Sequence, residues 1–499
     1  MLKKGIKNLI ASFLNQILTI ALGIIIPRLV LVSLGSEANG LLNSVSQVLV
    51  YLSLLEAGIG TATSQALYAP VRRRDEQDIN AILAATDKFY RKTGTLYFLG
   101  ILLMAGIYPF IVKTDISKTT IIIVILLSGM SSVINYFFQG KYKILLQTEG
   151  KGYLLINLGT IINTAISIGK IILLLHGYGI IALQLLYFLL NTAQMIFVMV
   201  YIKKNYKWLN LSVKPNIKAL TQKNAVLIHQ ITGMIFNNTD MVILSAFEGL
   251  KTVSVYSMYN MVYGMIKTAI SNVVLSITFA FGQIYNTDKK KYIELHDVFE
   301  VYYLAFIMGL YCVAYVMILP FLKLYTSGVV DVNYLDGTLA TLFIIIFILS
   351  NGRVTSGMVI EYAGHYEKTK WRSVIEAVIN VVVSIIGVYY WGIYGVLIGT
   401  IAALIYRTND MIIYASKRLL QRTPFITYRR WGTDIFVFVL LAYIGRKVVG
   451  NTVSNYFTLL LYAVPVFVTV MAVFVIINSL CDMECCIYVL RFIKRKKIT

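Results

Sequence analysis

Charge is what this chain has least of. Asp, Glu, Lys and Arg make up 14% of its 499 residues, against roughly a quarter in an average soluble domain. With 58% apolar residues, that scarcity excludes an ordinary soluble globular fold. Cysteine is limited to Cys312, inside an apolar run, and Cys481, Cys485 and Cys486 near the end, which excludes a disulfide framework. We read the tail thiols as reduced groups beside the inner membrane face. The four histidines, His176, His229, His296 and His365, are scattered and form no sequence-local metal or nucleophile constellation. There is no GxxxxGK[ST] phosphate loop, no HExxH and no GxSxG. The chain is therefore expected to hydrolyse no ATP, to need no cofactor or metal, and not to be an enzyme.

What is present is long apolar runs. Leu96–Val112, Ile121–Leu146, Leu339–Ile360 and Phe457–Leu480 each approach or exceed the ~20 residues that cross a bilayer as a helix. Lipid offers no partner for an open backbone, so the expectation is an all-α polytopic membrane protein. Fourteen spans are expected, with cores at 9–34, 40–69, 93–112, 119–145, 153–175, 179–202, 225–248, 253–282, 298–322, 336–362, 372–391, 395–416, 434–449 and 457–480. The first is too long for a signal-peptide core and reads as a retained span.

The net charge of +22 tempts a nucleic-acid reading, but the basic residues sit in short loops on alternate sides of the path. One side holds only Lys113, Lys118, Lys251, Lys323, Arg446 and Lys447. Nearly all the rest lie on the other, which by the positive-inside rule is cytoplasmic and carries both termini. The partner class is thus lipid rather than nucleic acid.

A hairpin recurs. PRLVLVSLGSEANGLLNSVSQVLVYLSLLE (27–56) is matched by MVILSAFEGLKTVSVYSMYNMVYGMIK (241–267), which places Gly35 on Gly249 and Asn43 on Ser257. HGYGIIALQLLYFLLNTAQMIF (176–197) is matched at nearly the same offset by WGIYGVLIGTIAALIYRTNDMII (391–413), placing Asn191 on Arg407. Two such matches imply a duplicated six-span unit, with both copies inserted the same way round. The expected organisation is an N-lobe over 1–210, a linker at 211–224, a C-lobe over 225–420, and two further helices with a basic tail over 421–499. Gly395 and Gly399 form a GxxxG step suited to close helix packing.

Several stretches carry a resemblance: Pro27-Arg28 with Leu34-Gly35 and Gly40; LLEAGIG (54–60); QTEGKGY (147–153); TDMVILSAFEG (239–249) with Tyr256-Ser257; and AGHYEKTKWRSVIEAVIN (363–380) running into GIYGVLIGT (392–400). Over about the whole chain it resembles the polysaccharide and O-antigen repeat-unit flippases of the multidrug/oligosaccharidyl-lipid/polysaccharide exporter superfamily. The resemblance implies two six-helix lobes in a V around a central cavity, plus two C-terminal helices.

A charge deep in a bilayer is costly and by default functional. Arg28, Lys170, Lys267, Arg353 and Arg407 lie within spans, as do Glu56 and Asp240. We read the cations as lining a wet cavity that receives an anionic headgroup, since Arg matches phosphate oxygens in pairs. The competing reading has them paired with buried acids or snorkelling to an interface. For Lys170 both readings stand, and Arg407 has Asp410 at i+3. Under the repeat, Asp240 falls beside Arg28 and Lys267 near Glu56, which suggests two alternating latches with Glu56 and Asp240 as gating groups. Asn43, Asn237 and Asn238, with Asn15, Gln16, Gln47, Asn260 and Asn272, suit a sugar path, although such amides also glue helices.

The expected function is translocation of a polyprenyl diphosphate-linked oligosaccharide from the inner to the outer leaflet of a bacterial cytoplasmic membrane. Glycosyltransferases and the polymerase of the same pathway are the expected partners. Alternatives are a cation-coupled drug exporter of the same fold, which the basic excess disfavours, and a lipid II or teichoic-type flippase. A membrane glycan polymerase would need a larger outer loop than the dozen or so residues around 325–335.

Overall fold

In a computed structural model the described residues are 2–56, 58–220, 224–450 and 452–496, with side chains described over 20–56, 58–220, 228–450 and 452–491. Asn15 and Gln16 lie outside the described side chains. Among the described residues there are helices, turns and no strands. Among the described residues eleven helices are long and apolar enough to cross a membrane. The fourteen expected spans are recovered once three further facts are added. Ile20–Glu56 holds two spans joined at Gly35, and Asn224–Phe247 and Phe425–Val449 are two further long helices, the latter richer in charge with Arg429, Arg430, Asp434, Arg446 and Lys447.

By contact the chain divides into two compact units, Met1–Ser254 and Val255–Thr499. The first contains α1 (Leu2–Ser53), α2 (Ile59–Arg73), α3 (Glu76–Ile111), α4 (Lys118–Ile134), α5 (Gly140–Thr148), α6 (Gly152–Leu175), α7 (Ile180–Asn205), α8 (Asn224–Phe247) and the first turn of α9 (Leu250–Thr287). The second contains the rest of α9, then α10 (Lys289–Tyr325), α11 (Gly337–Gly352), α12 (Val354–Tyr362), α13 (Tyr366–Trp391), α14 (Ile393–Tyr414), α15 (Phe425–Val449), α16 (Tyr456–Cys481) and α17 (Met483–Lys496).

The glycines matched by the repeat are conformational equivalents. Gly35 has φ 83° and Gly249 has φ 92°, a region closed to most side chains, and each turns the chain between two helices. Two expected spans carry an internal break, the second of them otherwise found as Gly337–Tyr362. The span expected over 40–69 breaks off at Ser53, passes through a 3-10 turn at Leu54–Glu56 and restarts at Ile59 behind left-handed Gly58. The span expected over 336–362 is interrupted at Arg353, between α11 and α12. Other helices outrun the membrane. At 1.5 Å per residue, α3 with 36 residues is about 54 Å long, and it starts on an Asp75 cap that accepts from the Asp78 amide.

The core of the first unit is aromatic and aliphatic, with Tyr90, Tyr97, Leu41, Leu83, Ile101 and Val124 buried among α1, α3 and α4. In the second unit Tyr263, Tyr311, Phe343 and Phe347 form a ring cluster joining α9, α10 and α11, with Tyr259 stacked on Phe343 at 5.5 Å. Helices α13 and α14 approach most closely. A Cβ on Gly395 would stand 1.9 Å from the Gly387 carbonyl oxygen, so the GxxxG step is a backbone-to-backbone contact. Asn380 bonds Thr400 at 2.9 Å and Ser384 bonds the Val396 carbonyl at 3.1 Å beside it, satisfying polar groups that lipid would not.

Candidate functional site: buried charge in two membrane units

In the first unit the turn at Gly35 packs on the α8–α9 turn at Gly249. Asn39 donates to Ser254 Oγ at 2.8 Å, and Lys113 donates to the Phe247 carbonyl at 2.7 Å. Glu37 accepts from Thr114 at 2.7 Å and lies 3.8 Å from Lys251. Gly40 permits this approach, since a Cβ there would overlap the Leu250 carbonyl oxygen at 1.9 Å. Farther along, Tyr51 bonds Thr239 at 2.5 Å, next to buried Asp240. The two repeated hairpin corners therefore meet each other on the side that carries Lys113 and Lys251.

Toward the opposite end, a polar hollow of about 520 Å³ is lined by Glu56, Gly58, His229, Gln230, Asn237 and Asn238. The chain break at 54–58 brings Glu56 there. Tyr90 donates to its Oε1 at 2.7 Å, Tyr136 also hydrogen-bonds it, and Lys143 stands within electrostatic reach. Sequence reading missed this tyrosine pair, because the three residues come from α3, the π-turn after α4, and the end of α1. Asn237 and Asn238 each donate one amide hydrogen to the carbonyl four residues earlier, at 2.6 Å. Each retains further donor and acceptor capacity for a hydroxyl. Asn43 is committed within its own helix, donating to the Asn39 carbonyl at 2.8 Å.

Lys170 separates two further recesses of about 420 and 360 Å³. Its ammonium lies 5.6 Å from the centre of the Tyr187 ring, and Gln184, Ser128, Thr164 and Pro27 share these walls. Arg28 is half-buried directly after Pro27 on α1.

One chain of buried charge in the second unit runs through α11, α13 and α14, apart from the cluster in which Asp297, Glu300 and Asp482 pair with Arg422 and Arg430. Arg353, set at the α11–α12 break, donates to Glu376 at 2.5 Å. The other oxygen of Glu376 lies 3.5 Å from Arg407, and Arg407 pairs with Asp410 at 2.6 Å. Asp410 also takes Arg372 at 2.5 Å, and Ser373 accepts from Arg407 at 3.3 Å. Three guanidiniums share two carboxylates, and Lys267 is within electrostatic reach of Arg353. Among the described residues the acids are shared: Glu376 serves both Arg353 and Arg407, and Asp410 both Arg407 and Arg372. Asp410 was legible at i+3 from Arg407, whereas Glu376 reaches Arg353 only through the packing of α14 on both α11 and α13. This site can hold an anion by charge and by the paired geometry of guanidinium donors. Among the described residues no group of His, Cys, Asp or Glu has the form of a metal site.

No family model matches the sequence, and no curated protein matches it. Solved structures do. The lipid II flippase MurJ in an inward closed conformation superposes with TM-score 0.68 at 14% identity, over 95% of this chain and 98% of that one. An inward-facing multidrug resistance MATE family transporter of the MOP superfamily gives 0.59 at 16% identity, over 79% and 94%. The Vibrio cholerae MATE transporter VcmN gives 0.51 at 13% identity, over 84% and 99%. The chain is a multi-pass membrane protein with the fold these transporters share.

Proposed function

We propose that this protein is a flippase moving a polyprenyl diphosphate-linked oligosaccharide from the inner to the outer leaflet of a bacterial cytoplasmic membrane. The observation that carries this reading is the cation excess inside the spans of the second unit. There, among the described residues, Arg353, Arg372 and Arg407 share Glu376 and Asp410, and Lys267 lies within electrostatic reach of Arg353. Such an excess suits a diphosphate and disfavours a cationic drug. The polar hollow at Glu56, Asn237 and Asn238 and the recesses at Lys170 suit sugar hydroxyls and phosphates in transit. The likeness to MurJ makes lipid II itself a second candidate cargo.

The transport cycle on this reading is alternating access of two lobes, 1–210 and 225–420, with 421–499 appended and both termini cytoplasmic. The corner where Asn39 meets Ser254 serves as the outer gate. Arg28 with Asp240, and Lys267 with Glu56, act as latches closed in turn. Glycosyltransferases supply the cargo and a polymerase consumes it.

The decisive experiment is reconstitution into vesicles with a labelled polyprenyl diphosphate sugar, followed by enzymatic probing of which face displays the headgroup. The proposal expects protein-dependent exposure on the opposite face, at least tenfold slowed by Arg353→Gln. A disulfide between Asn39→Cys and Ser254→Cys should stop transport, and reduction should restore it. Equal exposure in protein-free vesicles, or efflux of a cationic dye in place of the lipid, overturns the reading.

A further inference from the structure

The second unit contains a hollow unlike the others. It runs between α10, α11 and α15, has a volume of about 520 Å³ and is walled almost wholly by hydrocarbon. Trp431 lies at one end and Arg446 at the other, fifteen residues apart on α15, so it extends about 22 Å along the helix. That is most of the ~30 Å hydrocarbon thickness of a bilayer. Its back wall is buried (Ile344, Phe438, Ala442), while Val439 and Tyr443 at its lip are exposed, so it opens sideways toward lipid.

The head of the hollow is charged. The Arg446 guanidinium lies 3.7 Å from the centre of the Tyr315 ring, and its Nη2 is buried without a hydrogen-bond partner. Among the described residues no carboxylate stands within ion-pair distance of Arg446 or Lys323. Arg446 and Lys323 also line a second recess of about 400 Å³, so Arg446 borders both. This end of α15 is the one the charge pattern assigns to the outside.

We propose that this hollow is a binding site for a lipid phosphate: one hydrocarbon chain lies along α15 from Ala442 toward Trp431, and the phosphate is held by Arg446 with Lys323. A buried guanidinium N–H lacking an acceptor is costly, and a phosphate oxygen supplies the acceptor together with the opposite charge. Hydrocarbon against Ile348, Phe438 and Val439 fills space that water would leave unfavourable. A zwitterionic headgroup shares the phosphate but adds a cation, which Arg446 and Lys323 repel. The site is separate from the buried charges of α11, α13 and α14 and does not depend on the transport reading.

The test is native mass spectrometry of the delipidated full-length protein, titrated with phosphatidylglycerol, phosphatidylcholine and undecaprenyl phosphate. The proposal expects at least one anionic lipid to bind about tenfold or more tightly than phosphatidylcholine, the scale of one charged hydrogen bond. Arg446→Gln should abolish that preference. Ala442→Phe, which fills the hollow, should weaken all three lipids, and Val439→Trp at the exposed lip does the same if Ala442→Phe fails to fold. A preference for undecaprenyl phosphate marks the cargo as the occupant; a preference for phosphatidylglycerol marks a bulk lipid. Equal binding of anionic and zwitterionic lipids, or a preference that survives Arg446→Gln in folded protein, overturns the proposal.

Discussion

Glu376→Gln removes one negative charge from a place where the structure leaves none to spare. The carboxylate is shared between Arg353 at 2.5 Å and Arg407 at 3.5 Å, and its side chain is 10% exposed. Arg407 is 6% exposed, so water cannot replace the lost charge. Breaking one partner out of a buried ion pair costs about 3–5 kcal/mol, because the remaining charge stays desolvated. Asp410 still holds Arg407, which places the expected loss at the lower end, about 3 kcal/mol. A body of 150–250 residues shifts by about 2–4 °C per kcal/mol, so a fall of ~6–12 °C in the unfolding midpoint is expected. Fluorescence-detected gel filtration of heated, detergent-solubilised protein measures it. Arg353→Gln added to Glu376→Gln should recover at least half of the loss, since the uncompensated cation is then gone. An unchanged midpoint in the single variant, or no recovery in the double, would show that the chain of charges carries no energetic coupling and would refute the reasoning.

Further outcomes follow from other parts of the fold. Gly395→Val should lower stability by ~1–3 kcal/mol or more, since its side chain meets the Gly387 backbone, whereas Gly432→Ala, with open space at its Cβ, should be neutral or stabilising; thermal melts should fall for the first and not for the second. Lys170→Gln should cut lipid-headgroup translocation about tenfold or more with the melting midpoint unchanged, because the ammonium borders two recesses and makes no ion pair among the described residues; a proportional loss of stability would assign it a packing role. His365 lies in the turn before α13, where burial, then Lys368 and Lys289, hold its imidazole below the ordinary value. Lys368 donates to its Nε2 at 3.1 Å, which leaves Nδ1 to donate to Tyr414 at 2.9 Å. A lowered folded value means this contribution is full above the unfolded pKa of ~6.5 and is lost as pH falls through the folded value. Melts from pH 7.5 down to 5 should therefore decline less steeply in His365→Gln, and identical slopes would exclude the assignment.

The helical class, the membrane location and the repeated hairpin were legible in the sequence, because each is a statement about local composition. Apolar runs of bilayer length force helices wherever lipid surrounds the backbone. The Gly35 and Gly249 match was legible because a positive φ demands glycine in both copies, and the structure has both there. The breaks at Glu56 and Arg353 were not read from the sequence, since each falls inside a span-length apolar run where a lone charge marks a buried group as readily as a helix end.

Which residues carry charge at depth was likewise written in the chain. Who meets whom was decided by packing. Tyr90 and Tyr136 come to Glu56, Glu376 bridges Arg353 and Arg407, and Arg446 is left over an aromatic ring at the head of an apolar hollow. Partners within one helical turn, such as Arg407 and Asp410, follow from spacing alone. Partners on different helices depend on rotation and depth, which are set by how ridges and small residues interlock and which no single stretch of sequence encodes.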